Sequence, residues 1–218
     1  ANGSTERLGA VQIQAVGNGF NLRFATRAQN DDRYDIEPMA ATASALIAPV
    51  LPVSDPLLAA GTQAEFLIVT HPSFADRLAP LVSARRAEGL SVGVVDVEGI
   101  YRYYNQGVVD PVAIDVALAD ARSRLGTRYV LLVGGDTYDY LNHLGSGSQS
   151  FIPTHYQPTG AYVRHAPVDA PYADVDSDGR ADLAVGRFPV RSAAELDAVI
   201  AKTLSYRQAA HAGKLLRV

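Results

Sequence analysis

The spacing of apolar and polar residues changes near residue 60, and past that point strand-like and helix-like rhythms alternate. Phe66-Leu67-Ile68-Val69-Thr70 is an unbroken apolar run bounded by polar residues, the pattern of a strand buried on both faces. Pro72 and Ser73 suit the opening of a helix. Phe74, Leu78, Leu81 and Val82 then recur at helical spacing until Glu88-Gly89 closes it. Ser91 to Asp96 reads as a second strand, and Ile100, Tyr101, Tyr103 and Tyr104 as a short helix or turn. Pro111 opens a longer helix with Ile114, Val116, Ala117, Leu118 and Leu125 on its apolar face, and Gly126 ends it. Tyr129-Val130-Leu131-Leu132-Val133 is the most strongly strand-like stretch. Gly134-Gly135 permits a sharp turn, and Asp136 follows. Leu183 to Phe188 is a further strand. Ser192 with Glu195 forms a capping box that starts a helix through Leu196, Val199, Ile200 and Leu204 to about Ala210. Strands alternating with helices predict an α/β fold with a parallel sheet.

Residues 1–60 have a different texture. Val11 to Val16 and Phe20 to Phe24 alternate apolar and polar around Gly17-Asn18-Gly19, which predicts a β-hairpin with one buried face. Asn30-Asp31-Asp32-Arg33 reads as a loop. Leu46 to Pro56, with three prolines, reads as a linker or an extended edge segment. A lone hairpin is marginal. It is expected to pack on the following domain or to belong to an upstream β region. Lys214 to Val218 resembles the opening of another strand, and Ala1 is not Met, so the chain is expected to be processed or cut from something longer. The expected organisation is an upstream β segment over 1–60, an α/β subdomain over 61–212, and the start of a following strand over 213–218.

Composition narrows the chemistry. The 218 residues are 48% hydrophobic and 19% charged, enough to bury a core, and the net charge is -4. Basic residues are scattered, so no nucleic-acid partner is indicated. No apolar run approaches the ~20 residues of a membrane span; the longest candidate, Ala40 to Leu51, is Ala-rich and precedes Pro52. The absence of cysteine excludes disulfides, thiolate metal sites and a cysteine nucleophile within these residues. His71, His143, His155, His165 and His211 lack zinc-type spacing, and Ser73 and Ser177 lack a nucleophile-elbow setting.

Two acidic features carry the candidate chemistry. Asp136 lies just past a central strand, at the edge where open α/β sheets place ligands. Asp174, Asp176 and Asp178 alternate ahead of Gly179, with Asp182 beyond, like the first half of a calcium-binding EF-hand loop. The bidentate Glu of such loops is missing, since Val185 stands at the twelfth position. The alternative is a solvated Asp/Gly turn. Tyr138 to Pro171 is a long polar stretch rich in Tyr, Gly, Ser and Pro, a length that is uncommon without function.

With these elements placed, the chain resembles the gingipain-like cysteine peptidases, which have a caspase-type fold. The matching residues are Phe66 to Phe74, Arg85 to Val92, Val97 to Tyr101, Asp110 to Ile114, Tyr129 to Asp136, Asp174 to Pro189 and the helix from Ala194 to Tyr206. The resemblance implies a caspase-like or Rossmann-like three-layer subdomain, the first of two in a catalytic domain. The catalytic Cys and the Gly-His-Gly histidine belong to the second, and neither is present here. It also implies bound calcium. Asp178 and Asp182 would ligate it by side chain and Val175 and Arg180 by backbone carbonyl, with Asp136 completing the site. Asp174 and Asp176 depart from the family pattern, and either could substitute as a ligand. Asp169 and Tyr172 match a recurrent Asp-x-x-Tyr expected to shape the loop.

The resemblance further implies a secreted or cell-surface parent. Its partners would be the rest of the catalytic domain and a protein or peptide substrate. The chain alone would then be an inactive, calcium-binding support. The alternatives are a non-catalytic module of the same fold whose tyrosine-rich loop binds protein or glycan, and a nucleotide-binding enzyme with Asp96 in the ribose role. The Thr70-His71-Pro72-Ser73 turn, which lacks a glycine-rich phosphate cradle, argues against the last.

Overall fold

A computed structural model describes residues 12–16, 19–23, 53–140 and 142–211, and they fall into two units, Ala1–Pro49 and Val50–Val218. In the first unit, β1 (Gln12–Val16) and β2 (Gly19–Arg23) form the expected antiparallel hairpin, paired from Gln12↔Arg23 to Val16↔Gly19. The expected loop at Asn30 to Arg33, the Ala40 to Leu51 run and the strand opening at Lys214 to Val218 lie outside the described residues.

The second unit is built on a parallel sheet of β3 (Phe66–Thr70), β4 (Val92–Asp96), β5 (Tyr129–Val133) and β8 (Ala184–Phe188), in the order β4-β3-β5-β8. The register is unbroken. Phe66 faces Val92 and Tyr129, Tyr129 faces Ala184, and Thr70, Asp96, Val133 and Phe188 share the carboxyl edge. From β3 the chain first moves outward to β4, then crosses back to the other side of β3 to form β5. That reversal makes the β3–β5 boundary the topological switch point, where doubly wound sheets open a ligand crevice.

Period-two alternation sends the apolar strand residues to both faces. Leu67, Val69, Val95, Val130 and Leu132 pack under α2 (Val97–Tyr104) and α3 (Pro111–Leu125), with Ile100, Ile114, Leu118 and the buried Tyr172. Ile68, Val92, Leu131 and Val133 pack under α1 (Ala79–Ala87) and α4 (Ala193–His211), with Phe74, Leu81, Leu196 and Ile200. Helix, sheet and helix thus form three layers.

The sequence-predicted helix after β3 is divided. Pro72–Arg77 is a 3-10 turn, and α1 begins at Ala79. Pro80 cannot donate a backbone hydrogen bond, so one continuous helix through it would break its own ladder. The other caps follow local chemistry. Asp96 and Asp110 accept from the backbone amides of Glu98 and Val112, and Gly126 takes the left-handed conformation (φ 68°) that closes α3. Glu195 N–H reaches Ser192 Oγ at 3.3 Å, while the Glu195 carboxylate accepts from Arg191 N–H at 2.7 Å.

The two edge strands differ in what covers their faces. The 3-10 turn Pro56–Ala60, inside the second unit, covers β4 so closely that a Cβ on Gly93 would lie 2.6 Å from the Ala60 Cβ. Among the described residues no strand pairs with the outer side of β4 or of β8, and on β8 a Cβ on Gly186 would meet nothing within 4 Å.

Candidate metal centre

The stretch after β5 is more ordered than its polar composition predicts. It contains a short antiparallel hairpin of β6 (His155–Gln157) and β7 (Ala166–Val168), followed by a 3-10 turn at Ala170–Ala173. Two charged side chains tie this stretch to the sheet. The Asp136 carboxylate accepts from Ser150 Oγ (2.6 Å), Thr154 N–H and Oγ1 (both 2.9 Å) and Tyr156 Oη (2.7 Å). Burial pushes its carboxyl pKa up. The hydrogen bonds from Ser150, Tyr156 and the Thr137 and Thr154 amides outweigh burial and hold it below the usual carboxylate value. Burial, and after it the hydrogen bond to Asp136, pushes the Tyr156 phenol up to about 12.

Arg187, in β8, is the second anchor. It makes a bidentate pair with Asp169 (2.7 Å to each oxygen) and donates to the carbonyls of Gly134 and Ile152 (both 2.8 Å) and Pro153 (3.1 Å). The Tyr172 hydroxyl donates to the same Pro153 carbonyl at 2.7 Å. Tyr172 and Arg187 therefore both donate to the Pro153 carbonyl, and Asp169, the other member of the expected loop-shaping pair, holds Arg187 in place. Nothing in the apolar patterning of β8 signalled Arg187. An arginine inside a strand was the available clue, since a charge that becomes partly buried there has to find internal partners.

At the switch point itself, Gly134 takes a φ of 143°, and a Cβ there would sit 2.6 Å from the Phe151 Cβ. Phe151 thereby fills the crevice between β3 and β5, its ring 5.1 Å from His71 and 4.9 Å from Phe74.

The acidic loop lies elsewhere. Its base closes where the amides of Asp182 and Leu183 both donate to the Ala173 carbonyl, at 2.7 and 3.1 Å. Within it, Asp174 accepts from the amides of Asp178 (3.0 Å) and Gly179 (2.9 Å). Asp176 accepts from Asp178 (3.1 Å), Asp178 from Arg180 (2.8 Å) and Asp182 from Val175 (3.2 Å). Ser177 (φ 62°) and Gly179 (φ 86°) supply the left-handed turns that this winding requires.

One carboxylate oxygen each from Asp174, Asp176 and Asp182 lies within 4.8 Å of the others. Asp178 and Arg180 are exposed, Val175 is half-buried against the core, and Asp182 also pairs with Arg122 of α3. Hard oxygen donors at this spacing fit a calcium ion, with Arg122 as a competing positive charge on Asp182.

Asp136 is not in this group. It follows the carboxyl end of β5, whereas the loop precedes the amino end of β8. Because β5 and β8 run parallel in register, these termini lie at opposite edges of the sheet. The four residue steps from Tyr129 to Val133 alone span roughly 13 Å. The expectation that Asp136 and the loop share one ion is thus corrected: the structure brings together Asp174, Asp176 and Asp182, and holds Asp136 apart.

A model of peptidase family C25 matches residues 59–217. Among solved structures, dimeric latent PorU from Porphyromonas gingivalis superposes with a TM-score of 0.53 at 22% identity, over 64% of this chain and 15% of PorU. That likeness shows the fold. A structure described as a protease matches at a TM-score of 0.47 and 18% identity, over 67% of this chain and 29% of its own. The chain thus spans less than a third of either protein. No curated protein matches the sequence.

Proposed function

Since the chain belongs to peptidase family C25, we propose that it forms the amino-terminal, non-catalytic part of a gingipain-like cysteine endopeptidase domain. The observation that carries this reading is the family match over an α/β unit that contains no cysteine. A thiolate nucleophile and its histidine would come from residues outside this sequence. This part would supply a rigid sheet, and the open β8 edge is where the rest of the catalytic domain would continue it.

Calcium would be held by the carboxylates of Asp174, Asp176 and Asp182, with Asp178 and the carbonyls of Val175 and Arg180 available to complete an oxygen shell. The ion would neutralise the cluster and stiffen the loop that enters β8. In this reading Asp136 is an anchor for the 138–171 stretch and not a ligand. An extracellular or cell-surface setting fits a site dependent on calcium, and the substrate would be a protein or peptide.

Incubated with a fluorogenic peptide library, the 218-residue chain is expected to release nothing above buffer, whereas a longer protein that includes the following subdomain cleaves. Hydrolysis by this chain alone would overturn the assignment. Titration calorimetry with CaCl2 is expected to show one site that Asp174→Asn abolishes; no heat would remove calcium from the reading.

A second reading rests on Tyr138, Tyr140 and Tyr162, which are 67%, 54% and 99% exposed. Exposed aromatics along one anchored polar stretch are typical of a binding surface, so the fold would then be a protein- or glycan-binding module. A parent lacking Cys and Gly-His-Gly in the following residues would favour it.

A further inference from the structure

The outer side of β8 has no strand beside it among the described residues, and the backbone shows which groups are left over. The Ala184 amide donates to the Arg128 carbonyl, and the Phe188 carbonyl accepts from the Gly134 amide. Ala184, Gly186 and Phe188 therefore turn their backbone groups toward β5. Alternation turns the amides and carbonyls of Val185 and Arg187 outward, where no described backbone group meets them. Such a row of free donors and acceptors is a template for another strand. Beside it Ala184 and Gly186 are exposed, and a groove of about 250 Å³ reaches from them to Phe66, Leu81, Tyr129 and Leu131 on the α1 and α4 side of the sheet. β4, the other edge strand, offers no such opening, because Ala60 and Ala64 fill the space over Gly93.

The path of the chain decides which strand belongs there. From β3 the chain passes over the α1 side of the sheet to β4. From β4 it passes over the other side, through α2 and α3, and moves the opposite way to β5. Reversing both side and direction keeps one hand, the right-handed one that about 98% of such connections share. After β8, α4 lies on the α1 side again, and its Thr203 shares the groove with Tyr129 and Ala184 at the amino edge. α4 thus returns the chain to the edge where β8 begins, so a strand formed directly after it would run parallel to β8. Placed outside β8, that strand would move as β5 does from β4 but over the opposite side, which makes the connection left-handed. The sequence-predicted strand opening at Lys214 to Val218 is the next along the chain, and this rule keeps it from the β8 edge.

We propose that the β8 edge is the docking site of a non-consecutive strand, an extended segment from beyond residue 218 that pairs with the backbone of Val185 and Arg187. It sets a large apolar side chain over Gly186, where a strand glycine leaves room for a bulky cross-strand neighbour. This rests on the reading that the rest of a catalytic domain follows this chain, and it adds which kind of strand meets the sheet.

Amide hydrogen exchange tests it. In the 218-residue chain the Val185 and Arg187 amides are expected to exchange at least about a hundredfold faster than those of Gly186 and Phe188. In a longer protein that includes the following subdomain, all four are expected to be protected alike. Amide NOEs from Val185 and Arg187 should then reach residues beyond 218 and none of 214–218. Gly186→Leu, at a position where a Cβ meets nothing within 4 Å, is expected to leave the Tm of the 218-residue chain unchanged and to lower that of the longer protein. Protection of the Val185 and Arg187 amides in the 218-residue chain, whether by its own tail or by a second copy at high concentration, would overturn the proposal. So would fast exchange there in the longer protein, NOEs to 214–218, or a Gly186→Leu variant without effect on the longer protein. Peptide cleavage by the longer protein is scored separately and decides the peptidase reading alone.

Discussion

Asp136 and the 174–182 loop each gather negative charge at a strand terminus, and they manage it in opposite ways. Asp136 is half-buried and surrounded by neutral donors, the hydroxyls of Ser150, Thr154 and Tyr156 and the Thr154 amide. The bonds stabilise its charged form and leave little capacity for an ion. The loop's carboxylates lie within reach of one another, and their donors are backbone amides of the same short loop. Those bonds shape the turn without cancelling the charge. A buried carboxylate can thus be finished by the protein, whereas a cluster invites a cation.

The largest expected effect comes from Asp136→Ala, which leaves the donors of Ser150, Thr154 and Tyr156 without their acceptor. A loss of about 3 kcal/mol is expected from urea unfolding. Calcium-induced stabilisation should be unaffected, since the two centres occupy opposite edges. If Asp136→Ala also erased the calcium response, they would be one site after all.

Next in size is calcium itself. At a hundredfold excess over Kd it should stabilise the folded chain by about 2.7 kcal/mol, read as a rise in Tm that chelator reverses. Asp174→Asn and Asp176→Asn should abolish the rise. An identical Tm with and without chelator would reduce the loop to a solvated turn.

Acid separates the centres a third way. Asp136 has a folded pKa below its ordinary value of 3.8, so its contribution is fully present above that value and is lost as pH falls through the lower folded one. Without calcium, acid unfolding monitored by tyrosine fluorescence should therefore steepen below pH 3.8 and flatten in Asp136→Asn. A profile unchanged by that substitution would mean that the hydrogen bonds do not favour the charged form.

The smallest effect belongs to Arg122→Gln. Arg122 is 43% exposed, so its pair with Asp182 is screened and its loss should cost under about 1 kcal/mol without calcium. With the competing charge removed, calcium should bind about threefold more tightly by calorimetry. Weaker calcium binding in this variant would show that Arg122 orients Asp182 for the ion.

Much of the architecture was legible in the linear pattern. Phe66 to Thr70 and Tyr129 to Val133 emerged as strands at the expected boundaries, and Pro111 and Gly126 bracket α3 as their chemistry dictates. The misses have specific causes. Pro80 divides a stretch whose apolar spacing looked continuous. The hairpin of β6 and β7 uses strands of three residues, too short for alternation to register, and depends on anchoring by Asp136 and Arg187. Phe151 looked like one apolar residue in a polar loop, and only the packing against Gly134 and His71 shows what it fills.

What the residues alone determined were properties of neighbours along the chain: strand and helix rhythm, caps, and a loop whose alternating aspartates wind around their own amides. Which distant groups meet was decided by the tertiary structure. Parallel in-register pairing of β5 with β8 sends Asp136 to one edge of the sheet and the acidic loop to the other. Asp136 then finds its donors 14 to 20 positions further along the chain. Local pattern cannot encode such separation, because it arises only when strands far apart in sequence lie side by side and the connections between them fold back over the sheet.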